Sequence, residues 1–301
     1  MSGSLLLISS YPKSGNTWAR LVFDYLIRGG KDEVSINELS GAVHGRARRQ
    51  LFDTYSPACS SDLSFDEIEN LLPELFRSLV MESKGLQVVK VHECSHRNRR
   101  GEWLFPPECV QAAVYLVRHP FDVAVSFANH MGQTLEEIVE TLGRKGSNSP
   151  RHPGNLDLPL PQWMGSWSEN VESWLLRSPY RTAVARYEDL HERPVETFGR
   201  LAAEAGVEAE PGKVEAAVAA TRFDILQAQE REKGFRERPD TSPVFFRAGR
   251  PKSWEGLLTD EMRARICRDH GPMMAQLGYR EDGSVAAFQN SVGAGESRQA
   301  R

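Results

Sequence analysis

The stretch at residues 11–18, Tyr-Pro-Lys-Ser-Gly-Asn-Thr-Trp, concentrates basic and hydroxyl side chains around a glycine. The apolar run at residues 5–8 precedes it and apolar residues at helical spacing follow it, so it joins a buried strand to an amphipathic helix. The first turn of a helix offers free N–H donors and the positive end of the helix dipole. Gly15 allows a close backbone approach and Lys13 adds a mobile positive charge. The stretch therefore predicts a binding site for an anion such as a phosphate.

Two other interpretations of this stretch are open from the spacing alone. The phosphate loop of nucleotide triphosphatases ends in Gly-Lys-Ser/Thr, whereas Lys13 here precedes Gly15, so that form does not match. The stretch could also be an ordinary turn that ends in a Ser or Thr helix cap.

Lys90 and His92 end a nearly apolar strand that we predict at residues 86–92. Residues two apart on a strand project to the same face, and open α/β sheets bind ligands at the carboxyl ends of their strands. His92 is a candidate general base, since a histidine pKa of about 6.5 lets it accept a proton near neutral pH. A structural histidine at a strand end is the alternative. His92, Cys94 and His96 could instead share a metal ion, but the sequence shows no fourth ligand.

Arg118 follows a third apolar strand, at residues 112–117, and Ser126 lies two turns into a helix that begins at Pro120. Both side chains could reach one phosphate, the guanidinium through a bidentate contact. An ion pair at the helix start and a surface hydroxyl would be the ordinary interpretation of the same residues.

Taken together, these motifs resemble those of the soluble sulfotransferases. Residues 11–18 look like the loop by which that family holds the 5'-phosphosulfate of 3'-phosphoadenosine 5'-phosphosulfate (PAPS), and residues 118–126 resemble its segment for the 3'-phosphate. Three later motifs follow in the family's order: residues 184–190, residues 221–223, and residues 245–254, which look like its Arg-Lys-Gly loop. The resemblance covers residues 5–280.

The resemblance implies a role for each matching residue. His92 would remove the acceptor's proton, while Lys13 and Lys90 would neutralise charge on the transferred group and the leaving phosphate. Magnesium would not be required, and 3'-phosphoadenosine 5'-phosphate (PAP) would be the product. The residues implied in PAPS binding are Lys13, Ser14, Gly15, Asn16, Thr17, Trp18, Arg118, Ser126, Tyr187, Thr221, Phe223, Arg247, Ala248 and Gly249. Asn16 and Ala248 depart from the family, which has threonine and lysine at these positions.

Composition limits the possible partners. The 301 residues carry a net charge of −4, which argues against a general nucleic-acid binder but not against a local basic pocket. The first apolar run is far shorter than a membrane span and has no basic region before it, so we expect a soluble, cytoplasmic protein without a membrane partner. The four cysteines form no C-x-x-C pair and are expected to be reduced thiols.

The alternation of strands and helices predicts one doubly wound α/β domain over residues 1–280, with a central parallel sheet and helices on both faces. Residues 281–301 are polar and are predicted to form a disordered tail. We predict short helices within residues 31–64, a helix containing Trp163 and Trp167, and one continuous helix over residues 212–229. Residues 143–162 show little periodicity.

The sequence predicts transfer of a sulfuryl group from PAPS to a hydroxyl, or secondarily an amine, of a small-molecule acceptor. Trp163, Trp167, His130, His152 and Phe52 are candidates to line the acceptor site. The dimerisation motif of the animal members is not preserved, so the oligomeric state is open. A P-loop-type kinase and a catalytically silent nucleotide-binding protein are the alternative functions.

Overall fold

The computed structural model describes residues 3–30, 33–39, 45–148 and 160–287. Within them, the core is a sheet of four parallel strands. The strands are β1 (Ser4–Ser10), β2 (Leu86–Val91), β3 (Val110–Val117) and β4 (Thr182–Arg186), arranged in the order β2-β1-β3-β4.

The central strand β1 explains why these strands read as continuous apolar runs. Its side chains alternate between two hydrophobic clusters: Leu5 and Leu7 face one, while Leu6 and Ile8 face the other, all fully buried. Both faces of the sheet are therefore covered, as parallel sheets require. β1 pairs with β2 and β3 in parallel, so their carboxyl ends meet at one edge of the sheet.

Helices cover both faces, which confirms the predicted fold class. The helices that contribute to the first cluster are α2 (Gly45–Tyr55), α3 (Phe65–Glu82), α4 (Pro120–Met131), α5 (Leu135–Gly143), α6 (Trp167–Leu175) and α11 (Asp260–Gln276). Those on the opposite face are α1 (Asn16–Ile27), α7 (Tyr187–Glu192), α8 (Pro194–Ala205) and α9 (Pro211–Ala220), with α10 (Phe223–Lys233) packed beside α1.

Two of the predicted helices differ from the observed ones, and one observed helix was not predicted. The continuous helix predicted at residues 212–229 is wrong, because the chain breaks at Thr221 and Arg222 into α9 and α10. Trp163 lies outside α6, in an isolated β-bridge with Asn148. Helix α5 was not predicted, although Thr134 and Glu137 form a capping box at its start. The bounds of these helices depend on capping residues and chain breaks, which the spacing of apolar residues does not reveal.

The start of the predicted tail is bonded to the domain. The backbone N–H of Ala286 donates to the carbonyl of Gly278 at 2.7 Å, and the Arg186 guanidinium donates to the carbonyl of Ala286 at 2.6 Å. Tyr279 and Val285 form an antiparallel bridge. Residues 281–287 are therefore bonded to the domain, while residues 288–301 lie outside the described residues and the disordered tail stays a prediction.

Candidate active site

A cavity of about 930 Å³ opens at the carboxyl edge of the sheet. The residues that follow β1, β2 and β3 line it, together with residues near the start of α10 and in the loop at residues 245–249. Every residue predicted for catalysis or PAPS binding contributes to its wall except Ser14. The fully buried Ser14 hydroxyl has no hydrogen-bond partner among the described residues. The fold thus brings segments more than 200 residues apart to one site.

The loop after β1 leaves a helix end free for an anion. Gly15 has a φ of 97°, in the left-handed region, and an added Cβ would lie 2.8 Å from Cδ2 of Tyr187. Only glycine fits both the conformation and the space. Helix α1 begins at Asn16, and no side chain of the described residues caps it. Its first N–H groups and its dipole therefore face the cavity.

Asn16 braces this loop with its side chain. Its Nδ2 donates to the carbonyl of Ile8 at 2.8 Å, and its Oδ1 accepts from Nε of Arg20 at 3.0 Å. The side chain is therefore committed to β1 and α1. Contact with an anion is left to the backbone N–H groups at this helix end.

Lys13 is held in an environment that disfavours its charge. Burial, and then the positive charges of Lys90, Arg118 and Arg247, lower its pKa to about 7. Its Nζ lies 4.1 Å from the ring centroid of Phe245. A group with this pKa is only partly charged at neutral pH and gains its proton when an anion arrives.

The hydrogen bond of His92 fixes its tautomer. Nδ1 lies 2.8 Å from the carbonyl oxygen of Ser10, which can only accept, so Nδ1 carries the proton. Nε2 is then the basic nitrogen of a side chain that lines the cavity. Burial, and then the charge of Lys90, lower the pKa of His92 to about 3, so the ring is neutral at neutral pH. This is the protonation state that a general base needs.

The alternative of a metal site at residues 92–96 does not agree with the side-chain contacts. His92 binds the Ser10 carbonyl, Cys94 Sγ lies 3.2 Å from the carbonyl of Met164, and His96 Nε2 lies 2.8 Å from the Glu69 carboxylate. Among the described residues, no group of three or more His, Cys, Asp or Glu side chains could hold a metal ion.

Arg118 offers a buried cation for a second anion. Its guanidinium donates to the carbonyls of Lys13 at 3.2 Å and Arg250 at 3.0 Å, and it lies 4.3 Å from the ring centroid of Tyr187. Its Nε is buried and has no partner among the described residues. Ser126, two turns into α4, also lines this part of the cavity. An arginine held rigidly with an unused donor suits a phosphate.

Aromatic rings also line the cavity wall. The indole Nε1 of Trp18 donates to the Thr221 hydroxyl at 3.1 Å, which fixes the ring. Phe223 packs directly on Gly249, where an added Cβ would lie 2.1 Å from Cδ2 of the phenyl ring. Arg247 and Ala248 complete the wall beside them. This arrangement suits a flat, aromatic group such as a nucleobase.

Arg20 and Glu237 belong to the site but were missed by the sequence analysis. The Arg20 guanidinium donates to both carboxylate oxygens of Glu237, at 2.8 and 2.7 Å, and Nζ of Lys90 donates to Oε2 at 2.8 Å. Burial alone would raise the pKa of Glu237, but the charges of Arg20 and Lys90 hold it well below its usual range. Glu237 lies far from Arg20 and Lys90 in the sequence, so residue spacing could not indicate that the three side chains meet.

The remaining part of the cavity wall is mixed. Its apolar side chains are Phe127, Met131, Leu160, Met164 and Phe245, and its polar ones include Gln133, Thr141, Arg144, Ser147, Asn148 and Gln162.

His130 lines this part of the cavity as predicted, and burial lowers its pKa to about 3. Phe52 and Trp167 belong instead to the hydrophobic core, and Trp163 lines a separate surface depression. His152 lies outside the described residues.

A parallel α/β sheet that presents a helix end, buried cations and a neutral histidine at its carboxyl edge is built to bind a phosphorylated ligand. The model of the sulfotransferase domain family matches residues 4–278. The chain therefore belongs to the sulfotransferase family, which confirms the prediction of a sulfotransferase.

Characterised relatives of the family are moderately similar in sequence. The flavonol 3-sulfotransferase of Flaveria bidentis is 24% identical over 87% of this chain and 78% of its own length. Cytosolic sulfotransferase 16 of Arabidopsis thaliana is 25% identical over 86% of this chain and 73% of its own length. Sulfotransferase 1A1 of Rattus norvegicus is 28% identical over 63% of this chain and 55% of its own length.

Solved structures share the fold. A retinol dehydratase in complex with retinol and PAP superposes with a TM-score of 0.59 at 19% identity, covering 91% of this chain and 82% of that one. A mouse sulfotransferase in complex with PAP gives a TM-score of 0.56 at 17% identity, covering 90% and 84%. Both of these structures contain PAP, the product that a PAPS-dependent transfer leaves behind. Among the described helices, none combines the length and apolar character needed to cross a membrane.

Proposed function

We propose that this enzyme transfers the sulfuryl group of PAPS to a hydroxyl of a small, largely apolar acceptor, with His92 as the general base. The observation that carries the proposal is the orientation of His92. Its Nδ1 is committed to the Ser10 carbonyl, which leaves Nε2 basic in a cavity shared with Lys90 and the anion-binding loop. A neutral imidazole placed between a cationic site and an apolar pocket can take a proton from a hydroxyl.

The residues around the cavity fit the two phosphorylated ends of PAPS. The uncapped start of α1 and Lys13 would hold the 5'-phosphosulfate, while Arg118, Ser126 and Arg247 would hold the 3'-phosphate. The unpaired Nε of Arg118 and the absence of a side-chain cap on α1 among the described residues support this fit. Trp18 and Phe223 would flank the adenine. When bound, PAPS supplies an activated sulfuryl group.

The side chains of the site have two tasks: they take one proton from the acceptor and they neutralise negative charge at the reacting end. His92 accepts the acceptor's proton at Nε2, and its Nδ1–H bond to Ser10 keeps the ring in place. Lys13 and Lys90 neutralise negative charge at the reacting end, where fixed cations lower a barrier most. Aromatic and aliphatic side chains from α4 and from residues 160–164 exclude water from the acceptor.

The acceptor class follows from the wall of the cavity. Phe127, Met131, Leu160, Met164 and Phe245 supply an apolar surface that favours an acceptor with an apolar ring system. The structures of retinol dehydratase contain retinol in one case and androsterone in another, both of them lipophilic alcohols. Phenols and lipophilic alcohols are therefore the acceptors to test first.

Transfer from radiolabelled PAPS to a panel of phenols, sterols and other alcohols tests the proposal. The His92→Ala variant should lose about 10²-fold or more in kcat, because the base is gone, while its dissociation constant for PAP stays within about threefold. Unchanged PAP binding is also the control for folding. Near-normal kcat in this variant would remove His92 from the base role, and wild-type protein that does not bind PAP would refute the proposed donor.

A further inference from the structure

One carboxylate stands among the cations of the transfer site. Among the described residues, the acidic side chains that line the cavity are Glu237 and Asp224, and Asp224 pairs with the exposed Arg222. Glu237, in contrast, lies at the reacting end, and its side chain is only 12% exposed. Lys13, Lys90, Arg118 and Arg247 line the same cavity.

We propose that Glu237 is a positioning residue of this site: it serves as the counter-ion of Lys90, holds that lysine beside His92, and limits how tightly the site binds the anionic product. This inference rests on the proposed function, since it concerns the binding of PAP.

The geometry of Glu237 supports a role in holding Lys90. Oε2 accepts from Nζ of Lys90 at 2.8 Å and from Arg20 at 2.7 Å, while Oε1 accepts from Arg20 at 2.8 Å. Arg20 is itself fully buried and fixed to Asn16 and Thr17 in the first turn of α1. The buried Arg20 therefore fixes the carboxylate of Glu237, and this carboxylate in turn holds the ammonium group of Lys90 in place.

The charge of Glu237 opposes the effect of burial on Lys90. Burial lowers the pKa of Lys90, and the carboxylate raises it again. The titratable groups around Lys90 and Glu237 are Arg20 from α1, His92 at the end of β2, Lys13 from the loop after β1 and His130 from α4. Glu237 is the negatively charged group beside Lys90, so it favours the charged form of this lysine.

The same charge works against any anion that enters. A phosphate near Lys90 meets the attraction of the surrounding cations and the repulsion of Glu237. Product release limits turnover in many enzymes, so an anion site without a carboxylate would bind well but release slowly. Glu237 therefore favours release of the product at the cost of affinity.

The inference is tested by whether removal of the Glu237 charge strengthens or weakens the binding of PAP. In the Glu237→Gln variant, which keeps the size of the side chain, PAP should bind about tenfold or more tightly, measured by titration calorimetry. Both kcat and the KM for PAPS should fall, because product leaves slowly and donor binds well. A purely structural role predicts the opposite, since loosening Arg20 and Lys90 would weaken PAP binding.

Two further variants keep the test decisive if Glu237→Gln does not fold, because that change leaves the charge of buried Arg20 uncompensated. Arg20→Gln and the double variant R20Q/E237Q remove that charge. PAP should bind more tightly to the double variant than to R20Q, by a factor similar to that of the single change. If PAP binds equally or more weakly once the carboxylate is removed, the inference is overturned. As long as the wild-type protein binds PAP, that result leaves the proposed donor unaffected.

Discussion

The affinity of this protein for PAP should depend on the protonation of Lys13. Burial and three neighbouring cations lower the pKa of this lysine to about 7 in the absence of a ligand. An anion beside the ammonium group favours the charged form, so the pKa rises when PAP binds. Below pH 7 the lysine is already charged and contributes fully. Above pH 7 binding must first supply its proton, so affinity falls as pH rises.

The size of the effect follows from the protonated fraction. With a pKa of about 7, roughly a quarter of the free protein carries the charge at pH 7.5 and about one hundredth at pH 9. The dissociation constant for PAP should therefore rise about 25-fold between these two values, which corresponds to about 1.9 kcal/mol. The second pKa of a phosphate monoester is about 6, so the ligand itself titrates little in this range.

Titration calorimetry measures both parts of the prediction. Experiments at several values between pH 7.5 and 9 give the dissociation constant. Repeating them in buffers with different ionisation enthalpies gives the protons taken up, expected to be roughly 0.8 per PAP at pH 7.5. The matched control is Lys13→Arg, which stays charged over the whole range and should show a nearly flat profile.

The reasoning fails if the Lys13→Arg variant shows the same decline as the wild-type protein. It fails equally if the wild-type protein shows neither a decline nor proton uptake. In the first case another group titrates; in the second, Lys13 is fully charged in the free protein.

Two further predictions concern the walls of the nucleotide site. Arg118→Met should weaken PAP binding about 10²-fold, since a buried guanidinium with an unused donor is lost. The control Arg99→Met, at an exposed ion pair with Asp66 outside the cavity, should change it less than twofold, and equal effects in calorimetry would reject the 3'-phosphate assignment. Gly249→Ala should weaken PAP binding about tenfold or more without abolishing folding, because the new methyl group displaces Phe223 and strains a φ of 58°. Wild-type affinity in this variant would show that Phe223 does not contact the ligand.

Much of the site could be predicted from the sequence because its residues stand at the ends of strands. Lys13, His92 and Arg118 follow β1, β2 and β3, and the carboxyl ends of neighbouring parallel strands meet at one edge. Local order was enough to place them together. The start of α4 at Pro120 was predicted for a similarly local reason, since proline suits the first position of a helix.

Other features were decided by contacts between distant parts of the chain. The break between α9 and α10 places the Thr221 hydroxyl on Trp18, although the residues around it have good helix propensity. The role of Asn16 was also not evident, because its side chain is committed to Ile8 and Arg20.

By itself, the sequence determined the parallel α/β class, the family and most of the residues around the ligand, since strand ends and helix starts are coded locally. Only the tertiary structure decided the tautomer of His92, the lowered pKa of Lys13 and the ion pairs of Glu237 with Arg20 and Lys90. Protonation states and buried ion pairs depend on which groups share a low-dielectric space, and residues 20 and 237 share it only after folding.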